Sequence, residues 1–406
     1  MLTVDDALNL VIGHAAPRSP ELTPLRIAHG RILAESVVSD IDSPPHDKSV
    51  VDGYALIAAD IAAPGVELTV LEEVTAGEVP KRPVVTGSAT RIMTGAPIPA
   101  GANAVVMVEQ TRLIGDRVAI LQSPVKPGQN ITPRAASLAR GQTVLESGKL
   151  LRPIEIGLLA EVGRSSVAVI PPPRVSILAT GNELVSPSAA PGPGQIRNSN
   201  GPMLTALARS AGAEATDMGF ARDNESDLRR AIESGLSHDC LVVSGGVSAG
   251  VLDLVPKILH QLDVTQVFHK VNLKPGKPLW FGTRTPTRSV SEEPARTLVF
   301  GLPGNPVSSL VCFELFVRPA IQKLRGLAPI GLKKQTARLA KNHQQRGERP
   351  TYWPAAVCEG EVMPLAWKGS GDLRTLTDAN CLAFFPAGEQ LYSVGREIQI
   401  LHFPDS

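Results

Sequence analysis

Three times between residues 174 and 306 a short apolar run stops at a glycine-bearing turn. Arg174-Val-Ser-Ile-Leu-Ala-Thr180 runs into Gly181-Asn182-Glu183, Cys240-Leu-Val-Val-Ser244 into Gly245-Gly246, and Thr297-Leu-Val-Phe300 into Gly301-Leu-Pro-Gly-Asn-Pro306. Runs this short and apolar read as strands covered on both faces, and glycine supplies the backbone freedom that their turns need. Helical patterns lie between them, over residues 202–210 and 225–234 and again over 307–324. Buried strands alternating with helices predict a parallel, doubly wound α/β sheet. In such a sheet the loops at the carboxyl ends of the strands meet in one crevice where ligands bind. That crevice is expected to hold Glu183, Asp253, Asn305 and the glycines of the turns.

The residues around these turns suit an anionic, hydrogen-bonding ligand. Lys270, Lys274 and Lys277 cluster around Lys274-Pro-Gly-Lys277, a rigid turn that suits phosphate or another small oxyanion. A solvated basic loop is the plainer alternative. The Pro303-Gly304-Asn305-Pro306 turn strengthens the functional one, since the following helix would offer its dipole and free N–H groups to an anion. Asp223, Asp253 and Glu183 each lie at or near a loop, where acids opposite lysines can hold Mg²⁺ or accept from ligand N–H and hydroxyl groups. For Asp223 taken singly, helix capping is the competing role. Gly246-Val-Ser248-Ala-Gly250 also matches the Gly-x-Ser-x-Gly elbow of hydrolases, with Asp263 or Asp378 and then His402 as conceivable partners. No glycine-rich oxyanion segment precedes it, and a hydrolase would leave the lysine and Pro-Gly-Asn-Pro loops without a role. Walker, dinucleotide and zinc-protease motifs are absent from the sequence.

At 406 residues a single core is not expected, and two to four domains are. The net charge of +1, mixed in sign, gives no field for nucleic acid or an acidic membrane surface. Cys240, Cys312, Cys358 and Cys381 are far apart and form no Cys-x-x-Cys, so they read as buried thiols in a reducing cytoplasm. The chain opens on an amphipathic helix capped by Thr3, with Val4, Ala7, Leu8, Val11 and Ile12 on one face, and a second polar-capped segment follows near residues 26–38. From about residue 43 to 141 short runs punctuated by Gly and Pro predict an all-β module. Ile154, Leu158, Leu159 and Val162 then fall on one helical face. The expected organisation is a discontinuous small helical domain (1–42 and 142–172), the inserted β domain (43–141), the α/β domain (173–329) after the stiff Pro171-Pro-Pro173, and a C-terminal β barrel or sandwich (330–406).

Thr180-Gly-Asn-Glu-Leu184, Gln195-Ile-Arg-Asn-Ser-Asn200, Ser244-Gly-Gly-Val-Ser-Ala-Gly250 with Asp253, Lys274-Pro-Gly-Lys-Pro278 and Leu302-Pro-Gly-Asn-Pro-Val307 together resemble the molybdopterin molybdenumtransferase family, MoeA, which is related to the gephyrin E domain. Val51-Asp-Gly-Tyr-Ala55, Arg91-Ile-Met-Thr-Gly-Ala-Pro97 with Val105-Val-Met-Val-Glu109, and Gly369-Ser-Gly-Asp-Leu373 with Asp378-Ala-Asn380 carry the likeness over nearly the whole chain. The resemblance implies an elongated four-domain homodimer in the cytoplasm. It also implies that molybdate is inserted into adenylylated molybdopterin with Mg²⁺ and release of AMP, and it leaves room for other cofactor-biosynthesis proteins as partners. By motif it places catalytic roles at Asp52, Thr94, Glu183 and Asp253, with metal or substrate donors at Asp52, Glu183 and Asp253. Ligand contacts fall to Asp223, Ser244, Gly245, Gly246, Ser248, Lys270, Lys274, Pro303, Gly304, Asn305 and Pro306.

Departures from the family pattern bunch in one place. Lys48-Ser-Val-Val51 precedes Asp52 where the family usually reads Asn-Ser-Ala-Met, Ala136 and Ser137 stand where it shows Glu and Asp, and Asn182 replaces an Asp. Except for Asn182, these lie in the β module. They leave two hypotheses: a working molybdenum insertase whose acids are Asp52, Glu183 and Asp253, or a non-catalytic or redirected paralogue that carries molybdopterin or its nucleotide form.

Overall fold

The computed structural model describes residues 1–247, 254–285 and 296–404. The chain divides into two compact units, one of residues 1–34, 148–152 and 167–406 and one of residues 35–147 and 153–166. The first contains a six-stranded sheet built from β1 (Arg174–Thr180), β2 (Glu214–Ala221), β3 (Cys240–Ser244), β4 (Thr265–His269), β5 (Trp280–Arg284) and β6 (Thr297–Leu302), in the order β2-β1-β3-β6-β5-β4. The first four in that order run parallel, as the alternation of strands and helices requires. The edge formed by β5 and β4 is antiparallel. The sheet is therefore mixed rather than wholly parallel, because β4 and β5 are joined by the tight lysine-bearing loop and not by a helical crossover.

Helices α1 (Asn200–Ser210), α2 (Glu225–Gly235), α3 (Leu254–Gln261) and α4 (Pro306–Cys312) cover the sheet. The alternation of β3 shows how the two faces are filled. Cys240 and Val242 join a core with Leu204 and Ala208 of α1, while Leu241 and Val243 join one with Leu228 and Ile232 of α2 and Ile258 of α3. The predicted helix over 307–324 continues from α4 through one π turn, Phe313–Val317, into Arg318–Leu324. At the amino end, Val4–His14 is helical with the Thr3 hydroxyl accepting from the Asp6 N–H at 3.1 Å, and Ala7 and Val11 lie in the same core as α1. Residues 26–38 differ from a second helix. They hold the end of a 3₁₀ turn, Leu25–Ile27, and the two short strands Ile32–Leu33 and Val37–Val38.

The C-terminal segment closes a five-stranded barrel from Lys334–Leu339, Thr351–Cys358, Glu361–Pro364, Cys381–Phe385 and Glu397–His402. Closure leaves no strand of the ring with an unpaired edge. Cys240, Cys312 and Cys381 are buried as expected, but Cys358 is exposed, since its strand ends there in a turn at Glu359-Gly360.

The second unit is built on a six-stranded sheet in the order Ala104–Met107, Gly53–Leu56, Ser88–Ile92, Val66–Val74, Arg117–Ile120, Thr111–Ile114. Five of these strands overlap short runs read from the sequence (54–57, 67–74, 91–93, 104–108 and 118–121), and Thr111–Ile114 was not among them. Gly53 is required by close approach, because a Cβ there would stand 1.9 Å from the Val106 carbonyl oxygen. The helix Pro153–Glu161 forms where the periodicity predicts it, but turned: Glu155 and Leu159 are its buried positions, Val162 is buried just past its end, and Ile154 is 74% exposed. An i, i+4, i+7 stripe through Glu155 places Ile154 about 100° away, outside the stripe. Among the described residues no helix is long and apolar enough to cross a membrane.

Candidate functional site

At the carboxyl ends of β1, β3 and β6 lies a crevice of about 840 Å³. Its walls are the turn after β1 with Gly181, Asn182 and Glu183, the turn after β3 with Ser244, Gly245 and Gly246, and the Pro303-Gly304-Asn305-Pro306 turn after β6. The start of α1 with Asn198 and Asn200, together with Asp223 and the barrel's Gly371, completes the lining. Asn198, Asn200, Thr180 and Gly371 were not singled out as site residues from the sequence. The signal was present for the first three, which stand in the Gln195–Asn200 and Thr180–Leu184 motifs. Gly371 stands in the Gly369–Leu373 motif, but nothing local ties that barrel loop to the α/β crevice.

Asn200 is the joint of the site. Its Nδ2 donates to Ser244 Oγ at 2.8 Å and to the Gly304 carbonyl at 2.7 Å, tying α1 to the turns after β3 and β6. A carbonyl only accepts, so the amide cannot be flipped. Its Oδ1 and the hydroxyl of Thr180 are buried without a hydrogen-bond partner among the described residues. Ser309 donates to the Pro303 carbonyl, and its oxygen lies 3.3 Å from Ser244 Oγ. Gly245 donates to the Leu302 carbonyl at 3.0 Å with φ +98°, and a Cβ there would meet the Thr180 carbonyl at 2.5 Å. The turn is therefore accessible only to glycine.

Asn182 and Asp223 bridge the β1 and β2 loops reciprocally. Asn182 N–H donates to Asp223 Oδ2 at 3.2 Å, Asp223 N–H donates to Asn182 Oδ1 at 3.1 Å, and the Arg222 guanidinium donates to the Asn182 carbonyl. Asp223 is therefore not the helix cap: the α2 cap is Asn224, which accepts from Asp227 N–H. Glu183 is exposed within the crevice lining.

Other expected residues are placed differently. Lys270, Lys274 and Lys277 do not line the crevice, whereas Pro278 does. Lys270 has φ +73° and donates its N–H to the Leu279 carbonyl at 2.8 Å. Lys274 is fastened by its backbone to the barrel, donating to Pro350 O at 2.9 Å and accepting from Tyr352 N at 2.8 Å. The N–H groups expected to be free after the Pro-Gly-Asn-Pro turn are partly used, since Val307 donates to Ser370 O at 3.0 Å and Ser309 to Asn305 O at 2.9 Å. Ser248 and Asp253 lie outside the described residues.

Asp52 and Thr94 belong to the second unit and form a pair there. Thr94 donates to Asp52 Oδ1 from both its backbone N–H and its hydroxyl, each at 2.7 Å. The backbone donor first, the hydroxyl second and the charge of Arg91 last hold the Asp52 carboxyl below the usual carboxylate range. It is an exposed carboxylate whose Oδ2 takes no hydrogen bond among the described residues. The turn bearing the departures lies in the same unit. Ala136 and Ser137 are exposed, Ala135 has φ +60°, Arg134 N–H donates to Asp47 Oδ1 at 2.7 Å, and Ser137 N–H to Ser43 O at 2.9 Å. Asp42 is committed here too, its carboxyl lowered first by the Arg140 backbone N–H and then by the Arg134 guanidinium. Among the described residues no group of three or more His, Cys, Asp or Glu is placed to hold a metal.

A doubly wound domain with a glycine-walled crevice at its strand ends defines a class of small-molecule-binding α/β domains, and residues 176–323 match the model described as a probable molybdopterin binding domain. Residues 2–163 match the MoeA N-terminal region (domain I and II), and residues 336–403 the MoeA C-terminal region (domain IV). A molybdopterin molybdenumtransferase of Nostoc sp. is 37% identical over 419 residues, covering 99% of this chain and 93% of that one. One of Staphylococcus aureus is 32% identical over 412 residues, covering 98% and 95%. The crystal structure of the molybdopterin biosynthesis MoeA protein from Pyrococcus horikosii superposes with a TM-score of 0.84 at 32% identity, covering 100% of both chains. The chain belongs to the MoeA family.

Proposed function

We infer that the chain is a molybdopterin molybdenumtransferase of molybdenum cofactor biosynthesis, and that its crevice holds adenylylated molybdopterin for reaction with molybdate and release of AMP. The Asn200–Ser244–Gly304 joint carries the crevice reading: the turns after β3 and β6 are locked to the start of α1 around one cavity by a neutral amide. Neutral donors and acceptors fixed in place suit pterin and adenine edges, which present both kinds of group. Lys270 and Lys274 are proposed to supply positive charge to the phosphates from the neighbouring loop rather than from the cavity wall.

Asp52 is the proposed acid of the reaction centre. Held ionised by Thr94, it acts as an acceptor or a charge, not as a proton donor near neutral pH. Thr94 is assigned the task of orienting it. Mg²⁺ is the proposed metal, and Asp52, Glu183 and Asp253 are the residues proposed to hold it. When bound, the ion would neutralise charge at the leaving phosphate. The proposed assembly is a cytoplasmic homodimer in which the crevice of one subunit works with the partner's β module.

The test incubates purified protein with adenylylated molybdopterin, molybdate and Mg²⁺, following AMP release and activation of an apo-molybdoenzyme. Molybdate-dependent gain of both signals is the expected outcome. Tight binding with neither signal would favour the carrier paralogue, which the exposed Ala136 and Ser137 at family acid positions make the specific second reading.

A further inference from the structure

Between strands Glu361–Pro364 and Cys381–Phe385 the barrel sends out a loop that ends in the short helix Leu373–Leu376. Asp372 closes this loop. Its carboxylate accepts from Thr375 Oγ1 at 2.6 Å, Thr375 N at 3.2 Å and Lys368 N at 3.0 Å. These bonds, the Thr375 hydroxyl first, keep the carboxyl below its ordinary range. With both ends of the loop held by one side chain, the tip Gly369-Ser370-Gly371 has a defined place. It reaches the crevice: Gly371 is part of the lining, Ser370 O accepts from Val307 N–H at 3.0 Å, and Asn305 Nδ2 donates to Ser370 Oγ at 2.9 Å.

The two contacts of Ser370 do different work. Its carbonyl, a backbone group, tethers the loop to the start of α4 whatever side chain stands at 370. The hydroxyl fixes Asn305, an exposed residue of the crevice wall. With one amide proton committed to Ser370, Asn305 keeps Oδ1 and a second N–H for a ligand. A donor and an acceptor thus stand side by side at the edge of the cavity.

We propose that Ser370 is a positioning residue of the crevice, setting the Asn305 amide so that it meets a hydrogen-bonding ring or ribose edge of the pterin nucleotide. The inference rests on the proposed function and extends it by making the C-terminal barrel part of ligand recognition. A purely structural tie would need only the Ser370 carbonyl, which side-chain substitution leaves in place.

The experiment measures binding of adenylylated molybdopterin by calorimetry to full-length wild type, Ser370→Ala, Ser370→Thr, Asn305→Ala and the double variant Ser370→Ala/Asn305→Ala. Losing one oriented hydrogen bond is expected to weaken binding about three- to tenfold in Ser370→Ala. Ser370→Thr, which keeps the hydroxyl, should stay within about twofold of wild type, and the double variant should bind like Asn305→Ala alone, because both act through one amide. The thermal midpoint of Ser370→Ala should stay within about 2 °C of wild type, since the carbonyl tether survives. Unchanged affinity in Ser370→Ala, or losses that simply add in the double variant, would overturn the inference. A wild type that fails to bind would instead overturn the proposed function, and this inference with it.

Discussion

Asn200 is 8% exposed and commits both amide protons inside the protein, to Ser244 and Gly304. Asp52 lies on an exposed turn of the other unit and is oriented by one neighbour, Thr94. The crevice is held by hydrogen bonds that join several elements, so its shape is determined by packing and a single loss is felt throughout it. The Asp52 turn is an ionised group on a surface, so its charge and not its burial is what it contributes. Under the proposed function, recognition would fall to the first region and charge to the second. The difference also accounts for the uneven spread of departures from the family pattern. A packed web tolerates few changes, while an exposed turn can lose acids, as at Ala136 and Ser137, without loss of fold.

The strongest way to break the comparison is Gly245→Ala. Its Cβ would meet the Thr180 carbonyl at 2.5 Å in a backbone conformation that favours glycine. Strain of this kind should lower stability by about 2–4 kcal/mol and remove measurable ligand binding. Calorimetry together with denaturant titration reads both, and wild-type affinity in this variant would mean that the crevice is not the binding site. A smaller effect is expected from Thr94→Val, which deletes one of the two bonds to Asp52 Oδ1. Turnover should fall about three- to tenfold with affinity unchanged. Because the lost bond had stabilised the carboxylate, the Asp52 carboxyl should rise toward its ordinary range. The acid limb of the pH–rate profile should therefore move to higher pH. By linkage, a lowered carboxyl stabilises the fold above its unfolded-state value and ceases to as pH falls through the folded one, so wild type and Thr94→Val should converge in stability at low pH. The smallest effect sharpens the reading of the variant turn. Ala135 sits at φ +60°, so Ala135→Gly should stabilise by about 0.5–1 kcal/mol in chemical denaturation, with no change in affinity.

Much of this division was legible before the structure. The strand-glycine-helix alternation carried the α/β sheet because buried parallel strands leave an unmistakable apolar run, and the short Gly/Pro-punctuated runs carried the β module and the barrel. The antiparallel β4–β5 edge was not legible, since Leu273 to Pro278 gives no local sign of which way the chain returns. Helix faces were legible to within one residue of phase: Ala7 and Val11 face the core, but Ile154 does not, because a single buried Glu155 redirected the stripe. In the crevice, the turns after β1, β3 and β6 declared themselves through glycine and asparagine. The absence of Lys270 and Lys274 from its lining did not, since the Lys274 backbone answers to the start of strand Thr351–Cys358, seventy-odd residues later in the chain. The same long-range dependence hid Gly371 and Ser370. Pairings that span different elements, such as Thr94 with Asp52 and Asn182 with Asp223, have no period or spacing to reveal them.

The most direct test separates recognition from charge in one variant. Asp52→Asn keeps size and hydrogen-bonding capacity while removing the charge. Binding of adenylylated molybdopterin should remain within about tenfold of wild type, or ~1.4 kcal/mol, while single-turnover AMP release falls to background. Affinity and turnover falling together, or turnover surviving intact, would contradict the division of labour between the crevice and the Asp52 turn.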